Sequence, residues 1–83
     1  MPIYFMHMTE GDEFIPDLEG IELPNIAAIQ KAAIAGASGL IAEAVKQGRR
    51  DYSGRFDVED EHGQKLLTLT FACPIHIELA SPG

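Results

Sequence analysis

The hydrophobic and polar positions of this chain change period along its length, and each change predicts an element. Ile3-Tyr4-Phe5-Met6-His7-Met8-Thr9 is dense in aromatic and long apolar residues, and Glu10-Gly11-Asp12-Glu13 supplies turn chemistry, so a strand and a hairpin turn are expected. Phe14-Ile15 starts a second strand that Pro16 confines to an edge or ends, because proline cannot donate to a ladder. Asp17-Leu18-Glu19-Gly20 reads as a turn with glycine where positive φ is wanted, and Ile21-Glu22-Leu23 alternates briefly, so this second strand is expected to be broken or bent.

From Asn25 the period lengthens. Steps of about 100° place Ile26, Ile29, Ala33, Ala37, Leu40, Ile41 and Ala44 in one stripe, widened by Ile34 and Val45, which predicts a helix to about Gln47 with that stripe on a sheet. Asn25 and Pro24 compete to mark its start, and Gly48 suits a left-handed C-terminal cap. Arg49 to Gly54 reads as a loop. Arg55 to Asp60 then alternates with Phe56 and Val58 inward, Glu61-His62-Gly63-Gln64 is a hairpin turn, and Lys65 to Phe71 returns with Leu67, Leu69 and Phe71 on one face. The expected fold is α+β: ββαββ, one long helix packed on a four-stranded, mainly antiparallel sheet. A single domain is expected, with a core over about residues 3–72 and residues 73–83 as an apolar tail or extra edge strand.

Composition narrows the function classes. Eighty-three residues bury only about 60–65% of the unfolded chain's surface, so stability from the core is limited and a partner subunit would help. Formal net charge is -7, which disfavours nucleic acid and acidic membrane surfaces as partners. No apolar run approaches the roughly 20 residues of a membrane span, and no signal-peptide pattern opens the chain. The lone Cys73 has no internal disulfide partner, so a reducing cytoplasm is the expected compartment.

The residues that could carry function are few. The outward helix face holds Ala28, Ala32, Ala35, Gly39 and Ala42, and interior glycines such as Gly36 and Gly39 each cost about 1 kcal/mol relative to alanine unless close packing uses their smallness. That face, with Ile75 and Ile77 of the tail, is the candidate interface of a homodimer. Lys46, Arg49, Arg50 and Arg55 form a candidate anion patch, since residues 46–55 carry +3 and the remainder -10; a helix C-terminus complementing its dipole explains the same charges. Asp57, Glu59, Asp60, Glu61 and His62 offer metal-ligand chemistry without calcium-loop spacing, and His7, His62 and His76 lack the spacing of a helical zinc site. Cys73-Pro74-Ile75-His76 reads as an inert half-buried thiol before a nucleophile. No catalytic residue, cofactor or metal site is expected.

Met1-Pro2, Tyr4-Phe5, His7, Gly11, Asp17-x-x-Gly20, Leu23-Pro24, the alanine-rich helix, Arg55-Phe56-x-Val58 and Asp60-Glu61-x-Gly63 together resemble a family of small uncharacterised alphaproteobacterial proteins, a domain of unknown function. The likeness covers about residues 1–72, and that family brings no assigned activity. Ile29, Gly36 and Gly39 depart from it, and the tail is longer and more apolar. Pro16-Asp17-Leu18-Glu19-Gly20 leading into a helix is also similar to the antitoxins of HicA/HicB pairs, over about residues 3–45, which would imply a small basic protein as partner. Three functions follow as expectations: a non-catalytic homodimeric interaction module of the bacterial cytoplasm, a HicB-like antitoxin, or a small metal-dependent or hydrolytic enzyme in which His7, His62 and the acidic hairpin converge.

Overall fold

The computed structural model describes residues 1–74, so the expectations for Ile75, Ile77 and the rest of the tail lie outside the described residues. Six elements follow in order: β1 (Ile3–Glu10), β2 (Glu13–Ile15), β3 (Ile21–Glu22), α1 (Ile26–Lys46), β4 (Asp51–Glu59) and β5 (Lys65–Pro74). The fold is α+β, ordered roughly ββαββ, with one helix on an antiparallel sheet. The sheet has five strands rather than four. Its order is β2-β1-β4-β5, and β3 also pairs with β1. The break expected at Pro16 divides one strand into two short ones: β2 pairs with Met8–Glu10, and β3 pairs with Ile3 and Tyr4.

Besides β5 running on to Pro74 rather than ending at Phe71, two places differ from the expected pattern. Asp51 to Gly54 is not loop but the first half of β4, where Tyr52 is buried opposite Cys73 and Gly54 lies opposite Phe71. Ser53-Gly54 looks like turn chemistry, yet a Cβ at residue 54 would lie 2.5 Å from the Phe71 ring, so glycine is there to admit an aromatic. The second difference is at Leu66. A register shift beyond Val58 pairs Glu59 with Lys65, leaving Leu66 as the extra residue of a bulge, and both Leu66 and Leu67 reach the core.

The helix begins as its sequence expects. Asn25 is the N-cap, its Oδ1 accepting from the Ala28 N–H at 2.9 Å. At the other end Gly48 N–H donates to Val45 O and Arg49 N–H to Ala44 O, both at 3.0 Å, closing a Schellman motif around Gly48 at φ +77°. By length and composition α1 is apolar enough to cross a membrane, contrary to the expectation that no run approaches that length, and a core helix can meet the same criterion. One face of α1 is committed to the sheet.

That face is narrower than the predicted stripe. Ile29, Ala33, Ala37 and Ala44 are buried, Leu40 and Ile41 are half-buried, whereas Ile26, Ile34 and Val45 remain exposed. The reason is position: α1 lies over β4 and β5, and β5 is the edge of the sheet, so the side bearing Ile34 reaches past it. The core forms two clusters beneath the helix. Phe56 and Phe71 lie 5.2 Å apart between ring centroids, tilted by 43°, under Ala33, Ala37 and Ala44, while Tyr4, Ile29 and Val58 fill the space nearer the helix start. Alanines over aromatic rings let the helix approach closely.

The helical glycines differ in kind from Gly54. A Cβ at Gly36 would sit in ordinary contact, 3.6 Å from Phe56, and one at Gly39 would meet nothing within 4 Å. Gly54→Ala is therefore expected to lower unfolding free energy by about 1–3 kcal/mol through overpacking, and Gly39→Ala to raise it by up to about 1 kcal/mol. Urea denaturation of the two variants checks both signs.

Candidate functional site

Several places collect polar or unpartnered groups. The first is the gap between β2 and β3 on the outer side of β1. Met6 lies between the stretches of β1 that those strands pair with, and its N–H points into the gap, where Asp17 Oδ2 accepts it at 3.0 Å. Asp17 Oδ1 meanwhile accepts from the N–H groups of Glu19 at 3.2 Å and Gly20 at 3.0 Å, closing an Asx-type turn. The Asp17 N–H donates to His7 Nδ1 at 3.0 Å, and His7 Nε2 lies 3.4 Å from Glu59 Oε2. Gly20 is required here: it sits at φ +75°, and a Cβ would lie 2.7 Å from Ile3 Cγ2. Partial burial, the largest single influence, pushes the Asp17 pKa up, but the N–H donors of Gly20, Met6 and Glu19, with His7 nearby, outweigh it and hold the group below the usual carboxylate range.

On the sheet face away from the helix, Asp57 is 8% exposed. It accepts from Arg55 Nε and Thr68 Oγ1, both at 2.9 Å, with Lys65 Nζ at 3.5 Å. Burial raises its pKa most strongly, and these donors and cations together bring it below the ordinary value. Asp60 is instead a turn residue, its Oδ1 accepting the N–H groups of His62 and Gln64. The acidic residues considered as metal ligands are thus divided between a strand face and a turn. Among the described residues no three His, Cys, Asp or Glu side chains converge as ligands would.

The four cations are divided as well. Arg55 lies on the outer sheet face, bound to Asp57, while Arg49 lies beyond the helix C-terminus with its guanidinium 5.0 Å from the centre of the Tyr52 ring. Lys46 and Arg50 are exposed near Arg49 in sequence. A cavity of about 450 Å³ opens beside Arg49, Tyr52, Glu10, Asp51 and Cys73. The Tyr52 hydroxyl donates to Glu10, and burial, then that carboxylate, push its pKa up to about 12.

The last place is the side of α1 over β5. Ala35, Gly39 and Ala42 are exposed, whereas Ala28 and Ala32 are half-buried, and Ala32 touches the core. The large apolar side chains missed as surface residues are Ile34, 57% exposed, and Val45, 47% exposed. Ile34 and Gln30 border a groove of about 330 Å³ against Leu67, Thr68 and Leu69 of β5. Backbone alternation settles which groups of β5 meet no strand among the described residues. Because the Met6 N–H points away from β4, the odd residues of β4 face β1 and its even residues face β5; Thr68, Thr70 and Ala72 therefore turn their N–H and C=O groups to the open edge. All three residues are exposed. A wheel of exposed residues, rather than of apolar ones, would have been needed to find this flank, and sequence does not supply it.

Residues 3–72 match the family described as a domain of unknown function (DUF6894), and the chain belongs to that family. No curated protein and no solved structure is detectably similar to it.

A carboxylate with a depressed native pKa contributes stability above its unfolded value, about 3.9, and loses that contribution as pH falls through the native value. Asp17→Asn is accordingly expected to cost about 1–3 kcal/mol at pH 7, by leaving an amide N–H without its carboxylate, and distinctly less near pH 2. Urea unfolding of wild type and variant at both pH values measures the difference; an equal cost at the two would show that the Asp17 charge is not what matters.

Proposed function

We propose that this chain is a non-catalytic interaction module of the bacterial cytoplasm that works as a homodimer, joined along the open edge of β5 and the side of α1 above it. The observation that carries this reading is an edge that no described residue covers: β5 is ten residues long, with a charge only at its first position, Lys65, and a proline only at its last, Pro74. Exposed edges are normally blunted by charge, proline or a covering element. Here the neighbouring helix side carries Ile34, Ile41 and Val45, in a chain whose charged residues make up 23%.

Charge favours a second copy as the occupant. Two chains of net charge -7 repel each other, and an uncharged strip is where they approach at least cost. A basic protein, the partner of a HicB-like role, would be drawn to acidic surface and has little to hold here. Antiparallel pairing of β5 with its own copy is self-complementary about a two-fold axis perpendicular to the sheet. Such an axis keeps both helices on one side of a continuous sheet and brings the Ile34 flanks together, which supplies the apolar burial that a small domain lacks. The small-residue face of Ala35, Gly39 and Ala42 borders that contact rather than forming its centre.

Light scattering on the eluting protein should give twice the 9.0 kDa chain mass. Thr70→Pro removes an outward N–H without touching the bond pattern to β4, and Ile34→Glu places charge on the flank; each should return the single-chain mass with an unchanged circular dichroism spectrum. A single-chain wild type at every concentration would end the homodimer reading. A dimer that survives both substitutions would move the contact off β5, with Ala35→Glu then testing the small-residue face. Specific capture of a small basic protein would favour the antitoxin-like role instead.

A further inference from the structure

His7 is held by contacts that only one of its protonation states can make. Its Nδ1 accepts the Asp17 N–H at 3.0 Å, so that nitrogen carries a lone pair, and the proton of the neutral ring sits on Nε2, towards Glu59 Oε2 at 3.4 Å. A second proton can go only to Nδ1. It would turn the acceptor into a donor aimed at another donor, and the bond to Asp17 would be lost. The side chain of His7 is 16% exposed, so water does not simply replace the missing partner.

We propose that His7 and Asp17 form a proton-operated latch on the turn 16–20, closed while His7 is neutral and released when the ring is protonated. What the latch holds is specific. The same Asp17 whose amide meets His7 places its carboxylate on the Met6 N–H, in the gap between β2 and β3. An imidazolium Nδ1–H would compete for the carboxylate of the same residue whose amide it repels, and taking it would draw that carboxylate away from Met6 and from the turn amides of Glu19 and Gly20. Release would therefore reposition Leu18 at the turn tip, which is 85% exposed.

The groups around the ring set the balance. Glu59 and the cross-strand residue Asp57 face it from β4, Asp57 being already engaged by Arg55 and Lys65; Asp17 faces it from the turn. From β2 the neighbour is the Phe14 ring, 5.9 Å away between centroids. Protonation of the ring has to displace the bond from the Asp17 amide. Histidine is the side chain suited to such a change between pH 5 and 8.

Nitrogen NMR of the ring and amide exchange across that range test the latch on the wild-type chain. Expected are an Nε2–H tautomer at high pH and, after correction for intrinsic pH dependence, exchange at the Asp17 amide that quickens roughly tenfold with the midpoint of the His7 titration. An Nδ1–H tautomer, or an Asp17 amide indifferent to the state of His7, overturns the proposal. His7→Asn keeps an acceptor near the Nδ1 position and cannot titrate, so it should abolish the pH response of the Asp17 amide; a response that persists in this variant overturns the proposal as well.

Discussion

The Met6 N–H faces the gap between β2 and β3, where no strand lies beside β1, and the Asp17 carboxylate is the group that meets it. Much of the first third of the chain follows from that one contact. Pro16 ends β2 because it cannot donate to a ladder, and the chain must then travel from the Met8 end of β1 to its Ile3 end before pairing again as β3. A side chain stands in for the missing strand over that interval. With its second oxygen it closes the turn, and Gly20 lets the turn lie against Ile3 and Phe5. The chain then leaves β3 with the Leu23 N–H bound to Pro2 O at 3.2 Å, which sets where Asn25 caps the helix. An unmet backbone donor at that gap would cost about 1–3 kcal/mol, a large share of what so small a domain has in reserve.

The opposite edge has the complementary problem. Nothing among the described residues stands in for a partner along the outer side of β5, and the helix lies far enough over that side to leave Ile34 and Val45 without a floor. One edge is closed by a side chain from the chain itself; the other, among the described residues, presents unpaired N–H groups and aliphatic surface. A two-fold pairing resolves both needs in one contact, because the hydrogen bonds lie in the plane of the sheet and the apolar flank lies just above it. The polar outer sheet face, where Asp57 is tied to Arg55, Thr68 and Lys65, is already satisfied and makes no such demand.

What could be read from sequence depended on whether a residue's role was local. The Asn25 cap, the Gly48 terminus, the alternation of Phe56 and Val58 and the broken second strand were legible, because each rests on neighbours a few positions away. Gly54 was misread as loop because its reason is Phe71, seventeen positions on, and the Leu66 bulge is equally a matter of cross-strand register. The helix stripe was legible as a period but not as a width: Ile34 and Val45 belong to it by angle and leave it because β5 is the last strand. His7 has no local signal for its partner, because the residue that meets its Nδ1 is Asp17, across the β2–β3 gap. The motif Asp17-x-x-Gly20 marked a turn, and its second role, as a ladder partner for Met6, required the topology.

Amide hydrogen exchange at Met6 in the wild-type chain at neutral pH tests most directly that a carboxylate substitutes for a strand there. The Met6 amide is expected to be protected to the degree of its neighbours His7 and Thr9, whose N–H groups bond to β4, and to lose that protection in Asp17→Ala while theirs is kept. A Met6 amide that exchanges like an open sheet edge in the wild type, or one whose protection survives Asp17→Ala, would show that the carboxylate does not take a strand's place.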